Sequence, residues 1–193
     1  MSFYRDQLEA YLSKLDIKAD RVLDVGGASN PVKSRVKSWE VKEYDILDNG
    51  LEEGKSDIKY DLNKDIIKHW EDTGIQQHDI VFCLEVMEYI YDPMIAIKNL
   101  HWLTKKGGTL YITFPTLYPV HNPYNNDYLR YTKFGAIKLL EEAGFKIEEI
   151  VPRTMKAPDI YNTSCIAEGY KTRGATSSGT LFDAGYIFKV TKI

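Results

Sequence analysis

The sequence is poor in the features that mark several broad classes of protein. Cysteine is scarce: Cys83 sits in an apolar run and Cys165 in a polar one, and there are no others. Two such residues make no disulfide framework, and a reducing compartment is the expectation. No stretch concentrates lysine or arginine, and the formal net charge is −3. The electrostatic footprint of a nucleic-acid binder is therefore missing. No run of about 18 apolar residues occurs, so no membrane span is expected. The opening "MSFYRDQLEAYLSKLD" lacks the apolar centre of a signal peptide. His, Asp and Glu form no ligand set at metal-site spacing, so no metal is expected. What is left is a soluble cytoplasmic domain. Its 193 residues, 44% of them hydrophobic, fit one domain, 1–193, around one sizeable core.

The hydrophobic patterning orders the chain. Phe3, Leu8, Tyr11, Leu12 and Leu15 fall near helical spacing, which predicts an opening helix over 2–15. "RVLDV" is a buried strand cut off by Gly26 and Gly27. "SNPVKSRVKSW" offers an N-cap and a proline at a first helical position, which predicts a helix from Pro31. "EVKEYDIL" and "DIKYDL" read as strands, and "NKDIIKHWEDTG" as a helix ended by Gly74. "HDIVFCLEVM" is almost continuously apolar, as a central parallel strand should be. "YDPMIAIKNLHWLTKKGG" is a helix capped by Asp92, with basic residues in its last turn. "GGTLYITFP", "FKIEEIV" and "AGYIFKVTKI" are strands, and a helix runs from about Lys133 to Gly144. This alternation is that of an α/β doubly wound, Rossmann-like, mostly parallel sheet with helices on both faces. The last two strands lack a helix between them, which suggests an antiparallel ending. Two connections are long, 115–132 and 152–184, and long connections in compact domains are commonly functional or disordered.

Ligands of such sheets bind outside the carboxyl ends of the strands, at the switch point. The turn "VLDVGGASNP" belongs there. A dinucleotide pyrophosphate is held by G-x-G-x-x-G, but the three positions counted from Gly26 are Gly26, Ala28 and Pro31. Asp24 stands just before the turn, where a carboxylate repels a diphosphate and favours a cation. S-adenosylmethionine carries an ammonium, a sulfonium and a carboxylate, and no phosphate. Asp24 suits the ammonium, and the N–H groups of Gly27 and Ala28 near a helix N-terminus suit the carboxylate. Asp45 is read as the end of the second strand, 21 residues after Asp24, where an acid bonds ribose hydroxyls. Asp61 is read as the end of the third strand, near the adenine amino group. Glu85 ends a buried strand, and a carboxylate there is costly unless it is paired or faces a cation. Cys83 reads as a small packing residue.

With these pieces in place, the chain resembles the class I S-adenosylmethionine-dependent methyltransferases of the small-molecule type, methyltransferase domain 11 among them. The resemblance is carried by "VLDVGGASNP", "EYDIL", "IKYDLNKD", "HDIVFCLEVMEYIYDPMIAIKNLHWLTKKGGTLYITFP" and "HNPYNNDYLRYTKFGAIKLLEEAGF". It implies a seven-stranded sheet of order 3-2-1-4-5-7-6 with the seventh strand antiparallel. It also implies that Asp24, Gly26, Gly27 and Ala28 hold the methionine part, and Asp45 with Ile46 the ribose. Asp61 and Leu62 would flank the adenine, and Cys83, Leu84 and Glu85 would line the wall near the sulfonium. Ala28 and Asn30 stand where the family usually has further glycines, and Tyr89 where many relatives have histidine.

The segment "FPTLYPVHNPYNNDYLRYT" follows the fifth strand and is read as a substrate lid. Its tyrosines Tyr118, Tyr124, Tyr128 and Tyr131 offer apolar bodies with polar tips, Arg130 offers a partner for an acidic group, and His121 a base near neutral pH. The segment resembles that of methyltransferases associated with sugar and cell-surface polysaccharide assembly, which implies a small-molecule acceptor of that kind methylated at oxygen. Two other readings stay open: a non-catalytic nucleotide-binding or regulatory module on the same fold, and an NAD-dependent oxidoreductase, against which the glycine spacing and Asp24 count.

Overall fold

The computed structural model describes residues 3–50, 55–66, 75–120, 124–156 and 181–193. Helix α1 spans Phe3–Leu12 and strand β1 Asp16–Val25. Strands β2 (Ser38–Asp48), β3 (Ile58–Lys59) and β4 (His78–Cys83) follow. Helix α2 (Pro93–Leu103) leads into β5 (Thr104–Pro115), and helix α3 (Lys133–Glu142) into β6 (Phe145–Lys156) and β7 (Leu181–Lys192). The seven strands form one sheet of order β3-β2-β1-β4-β5-β7-β6. Strands β1 to β5 pair in parallel, and β7 runs antiparallel to both β5 and β6. The expected order and the antiparallel seventh strand are both present.

Side-chain alternation divides the core in two. From β1, Leu23 and Val25 face one side with Val81 and Cys83 of β4, packed under Ala96, Ile97 and Leu100 of α2 and Ala136 and Leu140 of α3. Val22 and Phe82 face the other side, under Leu8 and Leu12 of α1. Helices thus cover both faces, as a parallel sheet requires. Among the described residues no helix is long and apolar enough to cross a membrane.

Three expectations change. The predicted helix from Pro31 is a single 3₁₀ turn, Val32–Ser34. The Val32 N–H is taken by the Asp24 carboxylate at 2.7 Å. The Lys37 and Ser38 N–H groups reach back to the Leu15 carbonyl, which starts β2 at once and leaves no length for a helix. Helix α2 keeps its Asp92 cap, which accepts from the Ile95 N–H, but stops at Leu103. The basic residues expected in its last turn lie on β5, where Lys105 pairs with Asp79 at 2.6 Å. The third strand is only two residues long, so Asp61 follows it rather than ending it. Most of the helix expected over "NKDIIKHWEDTG" lies outside the described residues, as do Cys165 and most of the 152–184 connection.

Candidate active site

Strand β1 lies between β2 and β4; the chain winds outward from it through β2 and β3 and then crosses back to β4 on its other side, so the crevice above the carboxyl end of β1 is the switch point of the sheet. A cleft of about 390 Å³ occupies that place. Val25 and Gly26 form its floor, with Leu47, Asp48 and Asn49 from the end of β2. One wall is Tyr60–Lys64. The other runs through Glu85, Val86 and Tyr89–Tyr91, and Asn126 and Tyr128 of the loop after β5 close it.

The floor is shaped by glycine. Gly26 has φ +78°, and a Cβ there would come within 2.4 Å of the Val86 side chain. Its N–H donates to the Leu47 carbonyl at 2.8 Å, which ties the turn to the end of β2. Only a bare backbone fits, and it is presented directly to whatever fills the cleft. Gly27 serves a different need: a Cβ on it would strike the Asp24 carboxylate at 2.3 Å.

Asp24 is 3% exposed and is not among the cleft walls. Its Oδ2 accepts from the Val32 N–H and from the Tyr44 hydroxyl, both at 2.7 Å. Burial pushes its pKa up to about 6, against the opposing pull of those two bonds and of Arg35. The carboxylate is the anchor of the loop after β1. Because that loop holds one 3₁₀ turn and no α-helix, the helix N-terminus expected beside Gly27 and Ala28 is not formed.

Asp45 does not end the second strand. It pairs with Leu23 inside the sheet, three residues before β2 ends. Its Oδ2 lies 3.0 Å from His78 Nε2 and 3.3 Å from Arg21. His78 is fully buried, and that burial lowers its pKa although Asp45 works the other way. The acid at the strand end and in the cleft is Asp48, whose Oδ1 accepts from the Gly50 N–H at 2.8 Å. Ile46, Cys83 and Leu84 lie behind the cleft among the buried residues.

Asp61 and Leu62 do line the cleft. Asp61 Oδ1 closes a turn by accepting from the Asn63 N–H at 3.0 Å. Asn99 of α2, buried, then fixes the segment from below: its amide donates to the Leu62 and Lys64 carbonyls at 3.0 and 2.7 Å and accepts from the Ile66 N–H. Asn63 Oδ1 in turn accepts from the Tyr91 N–H at 2.9 Å, which joins the two walls.

Glu85 lines the cleft with a main-chain φ of +58°. Its carboxylate is paired with buried Arg153, Nη1 to Oε1 at 2.5 Å and Nη2 to Oε2 at 3.1 Å. Burial raises its pKa, but the Arg153 charge and the hydrogen bonds from Arg153 and Thr113 outweigh burial, so the group stays below its ordinary value. The cation that this half-buried acid meets is Arg153. Three residues on, Glu88 is 2% exposed, and one of its carboxyl oxygens has no hydrogen-bond partner among the described residues. Burial and then the Glu85 charge push its pKa upward.

The loop after β5 is a braced wall in its second half. All five N–H donors of Arg130 are engaged: Nε on the Tyr118 carbonyl, Nη1 on Asp127 and the Leu129 carbonyl, Nη2 on Asp127 and the Pro119 carbonyl. The Tyr131 hydroxyl donates to the Met87 carbonyl, and the Tyr128 and Leu129 N–H groups donate to the Glu88 carbonyl. Arg130 and Tyr131 are thus committed to holding the loop. Tyr118 packs on Tyr4, ring centres 4.8 Å apart. Tyr128 faces the cleft and meets Tyr91 edge to face at 5.8 Å. The backbone of Tyr124 opens a 3₁₀ turn, and His121 lies outside the described residues.

Of the residues singled out from sequence, the cleft brings together Gly26, Asp61, Leu62, Glu85 and Tyr128. Sequence reasoning missed Asp48, Tyr60, Asn63, Val86, Tyr89 and Tyr91. The signal for Asp48 was present in "LDNG", a turn sequence that marks where the strand must stop.

No protein-family model matches the chain, and no curated protein matches it. Solved structures do. The N-methyltransferase NodS of Bradyrhizobium japonicum, in complex with S-adenosyl-L-homocysteine, superposes with a TM-score of 0.63 at 12% identity, over 98% of this chain and 87% of that one. An S-adenosylmethionine-dependent methyltransferase of Mesorhizobium loti gives 0.57 at 14%, over 99% and 98%. The CurJ carbon methyltransferase gives 0.55 at 13%, over 90% of this chain and 48% of that one. At such identities the likeness speaks of architecture, and it agrees with the strand order: the chain has the fold of the class I S-adenosylmethionine-dependent methyltransferases.

Proposed function

We propose that the chain is an S-adenosylmethionine-dependent methyltransferase acting on a small-molecule acceptor at oxygen, with a sugar or polysaccharide precursor as the acceptor class. The observation that carries this reading is the switch-point cleft, in which a side-chain-free turn at Gly26 meets one acid at the end of β2 and another after β3. A turn with no room for a Cβ beside Val86 suits a ligand pressed against backbone, and the two acids suit hydroxyl and amino donors rather than phosphate. Gly26, with Gly27 and Ala28 behind it, would hold the methionine part. Asp24 would act through the loop it anchors. Asp48 takes the ribose role that spacing gave to Asp45, and Asp61 and Leu62 flank the adenine, with Cys83 and Leu84 as backing.

When bound, the cofactor supplies a methyl group on a positively charged sulfur. The chain's own work is alignment, exclusion of water and removal of a proton. The wall from Glu85 to Tyr91 fixes one side of the acceptor's approach, and alignment of this kind supplies much of the acceleration in a displacement reaction. Tyr128 and Tyr91 shield the reacting end from water. Arg130 shapes the acceptor side indirectly, by keeping Tyr118 and Tyr128 in place, and Tyr124 is proposed to contact the acceptor with them. The imidazole of His121 is the proposed acceptor of the hydroxyl proton. The fold serves nitrogen in NodS and carbon in CurJ, so oxygen rests here on the hydroxyl-rich loop and His121.

Calorimetry with S-adenosylmethionine, its demethylated product and NAD tests the cofactor: binding of the first two and not of NAD is expected, and binding of NAD alone overturns the reading. Turnover with matched alcohol, sugar and amine acceptors tests the atom. His121→Ala should lower kcat on hydroxyl acceptors with little change in cofactor affinity.

A further inference from the structure

Glu85 is the only non-glycine residue with positive φ among the described residues. It stands on the cleft wall, where held backbone strain marks a part of the site that the surroundings over-determine. Four contacts do the holding. The Glu85 N–H donates to Thr113 Oγ1 at 2.7 Å, and that hydroxyl donates back to Glu85 Oε1 at 2.9 Å. Arg153 grips both carboxyl oxygens. Arg153 is itself fixed from its other side: its Nε and Nη2 donate to the Tyr4 carbonyl at 3.2 and 3.1 Å, and its guanidinium lies 3.4 Å from the Tyr4 ring centre. Tyr4 belongs to the first turn of α1, and Arg153 to the edge strand β6, 68 residues from its acid.

A bidentate fork from a buried guanidinium onto a half-buried carboxylate fixes orientation as well as charge. The grip is applied to a side chain whose own backbone is in a region that costs an L-residue free energy. Resting on the function proposed above, we infer that Arg153 is a positioning residue of the cleft: through Glu85 it holds the turn after β4 in its left-handed shape, and through Tyr4 it makes the docked first turn of α1 a part of the cofactor site. No atom of Arg153 touches the cleft, so its effect on a ligand passes through the backbone of residue 85.

Removing Arg153 alone would strand a half-buried carboxylate and threatens folding. Two double variants avoid that: Arg153→Met with Glu85→Gly, and Arg153→Met with Glu85→Ala. Both delete the ion pair cleanly, and they differ only in that glycine adopts positive φ freely. Melting temperature and calorimetric affinity for S-adenosylhomocysteine are measured for each and for the wild type. The inference expects both variants to fold and the Ala variant to bind about tenfold more weakly than the Gly variant, the fold-change that corresponds to left-handed strain in one L-residue. Equal affinity of the two variants overturns it, whether both are strong, which makes the pair a matter of stability alone, or both are weak, which puts the Glu85 carboxylate on the ligand. Failure of the wild type to bind overturns the proposed function and this inference together; wild-type binding with equal variants overturns the inference only.

Discussion

Replacing Asp24 by Asn separates a buried anchor from a ligand-facing charge. In the native state burial raises this pKa from 3.8 to about 6. A shift of roughly two units corresponds to about 3 kcal/mol of differential stability. The folded state holds the proton more tightly than the unfolded chain. The stabilising contribution of Asp24 is therefore complete below about pH 4 and is lost as pH rises through about 6. An asparagine carries no such dependence, and its amide oxygen still accepts from the Val32 N–H and the Tyr44 hydroxyl. The charged group nearest to complicating this is Arg35, itself tied to Glu9 at 2.7 Å. Urea unfolding of both proteins at pH 4, 5, 6 and 7 gives the difference in stability, in which the other carboxylates cancel. Asp24→Asn should gain on the wild type by about 2.4 kcal/mol between pH 4 and 7, a large share of an ordinary domain stability of about 5–15 kcal/mol. A flat difference would refute the reasoning, since it would mean that Arg35 and the hydrogen bonds keep the carboxylate ionised against burial. Affinity for S-adenosylhomocysteine should stay within about threefold, that is, within about 0.7 kcal/mol; a much larger loss would place the carboxylate on the ligand.

Other substitutions probe the remaining assignments. Asp48→Ala should weaken S-adenosylhomocysteine binding by about 10- to 100-fold, the worth of a charge-assisted hydrogen bond, whereas Asp45→Ala should lower the melting temperature and spare the affinity, because its partners are His78 and Arg21. Gly27→Ala forces a Cβ against the Asp24 carboxylate and should cost about 1–3 kcal/mol in urea unfolding. Arg130→Met removes the brace on the Tyr118, Pro119 and Leu129 carbonyls; limited proteolysis should then cut within 116–129 while the sheet core melts nearly as before.

The fold was legible because its signals are local and repeated. Apolar runs of strand length alternate with helices, and Asp92 caps where its sequence says it should. The candidate cleft was legible at Gly26, Asp61, Leu62, Glu85 and Tyr128. Spacing alone placed the end of β2 at Asp45, three residues early, because a count of residues cannot show where a strand stops; the Asp48–Gly50 turn does that. The helix after β1 was misread for a related reason. Its caps and proline were in place, but tertiary bonds from Asp24 and Leu15 claimed the backbone groups that a helix needs. The partner of Glu85 was out of reach of any local reading. A buried acid demands a cation, and sequence states the demand, but only the pairing of β6 with β7 and the docking of α1 bring Arg153 to meet it. Tyr89, passed over as a mere departure from its relatives, is part of the wall.

The carbonyl of Glu88 accepts from both the Tyr128 and Leu129 N–H groups, and the Tyr131 hydroxyl binds the Met87 carbonyl next to it. These bonds splice the loop after β5 onto the turn after β4; under the proposed function the first meets the acceptor and the second walls the cofactor. In evolutionary terms the two are not separate modules. A graft of a foreign loop over residues 116–131 would carry new acceptor contacts but break the splice, and the donor site would register the change. If the proposed function holds, a new acceptor specificity would have to arrive with compensating substitutions at 87–89, and the Michaelis constants for the two substrates should drift together.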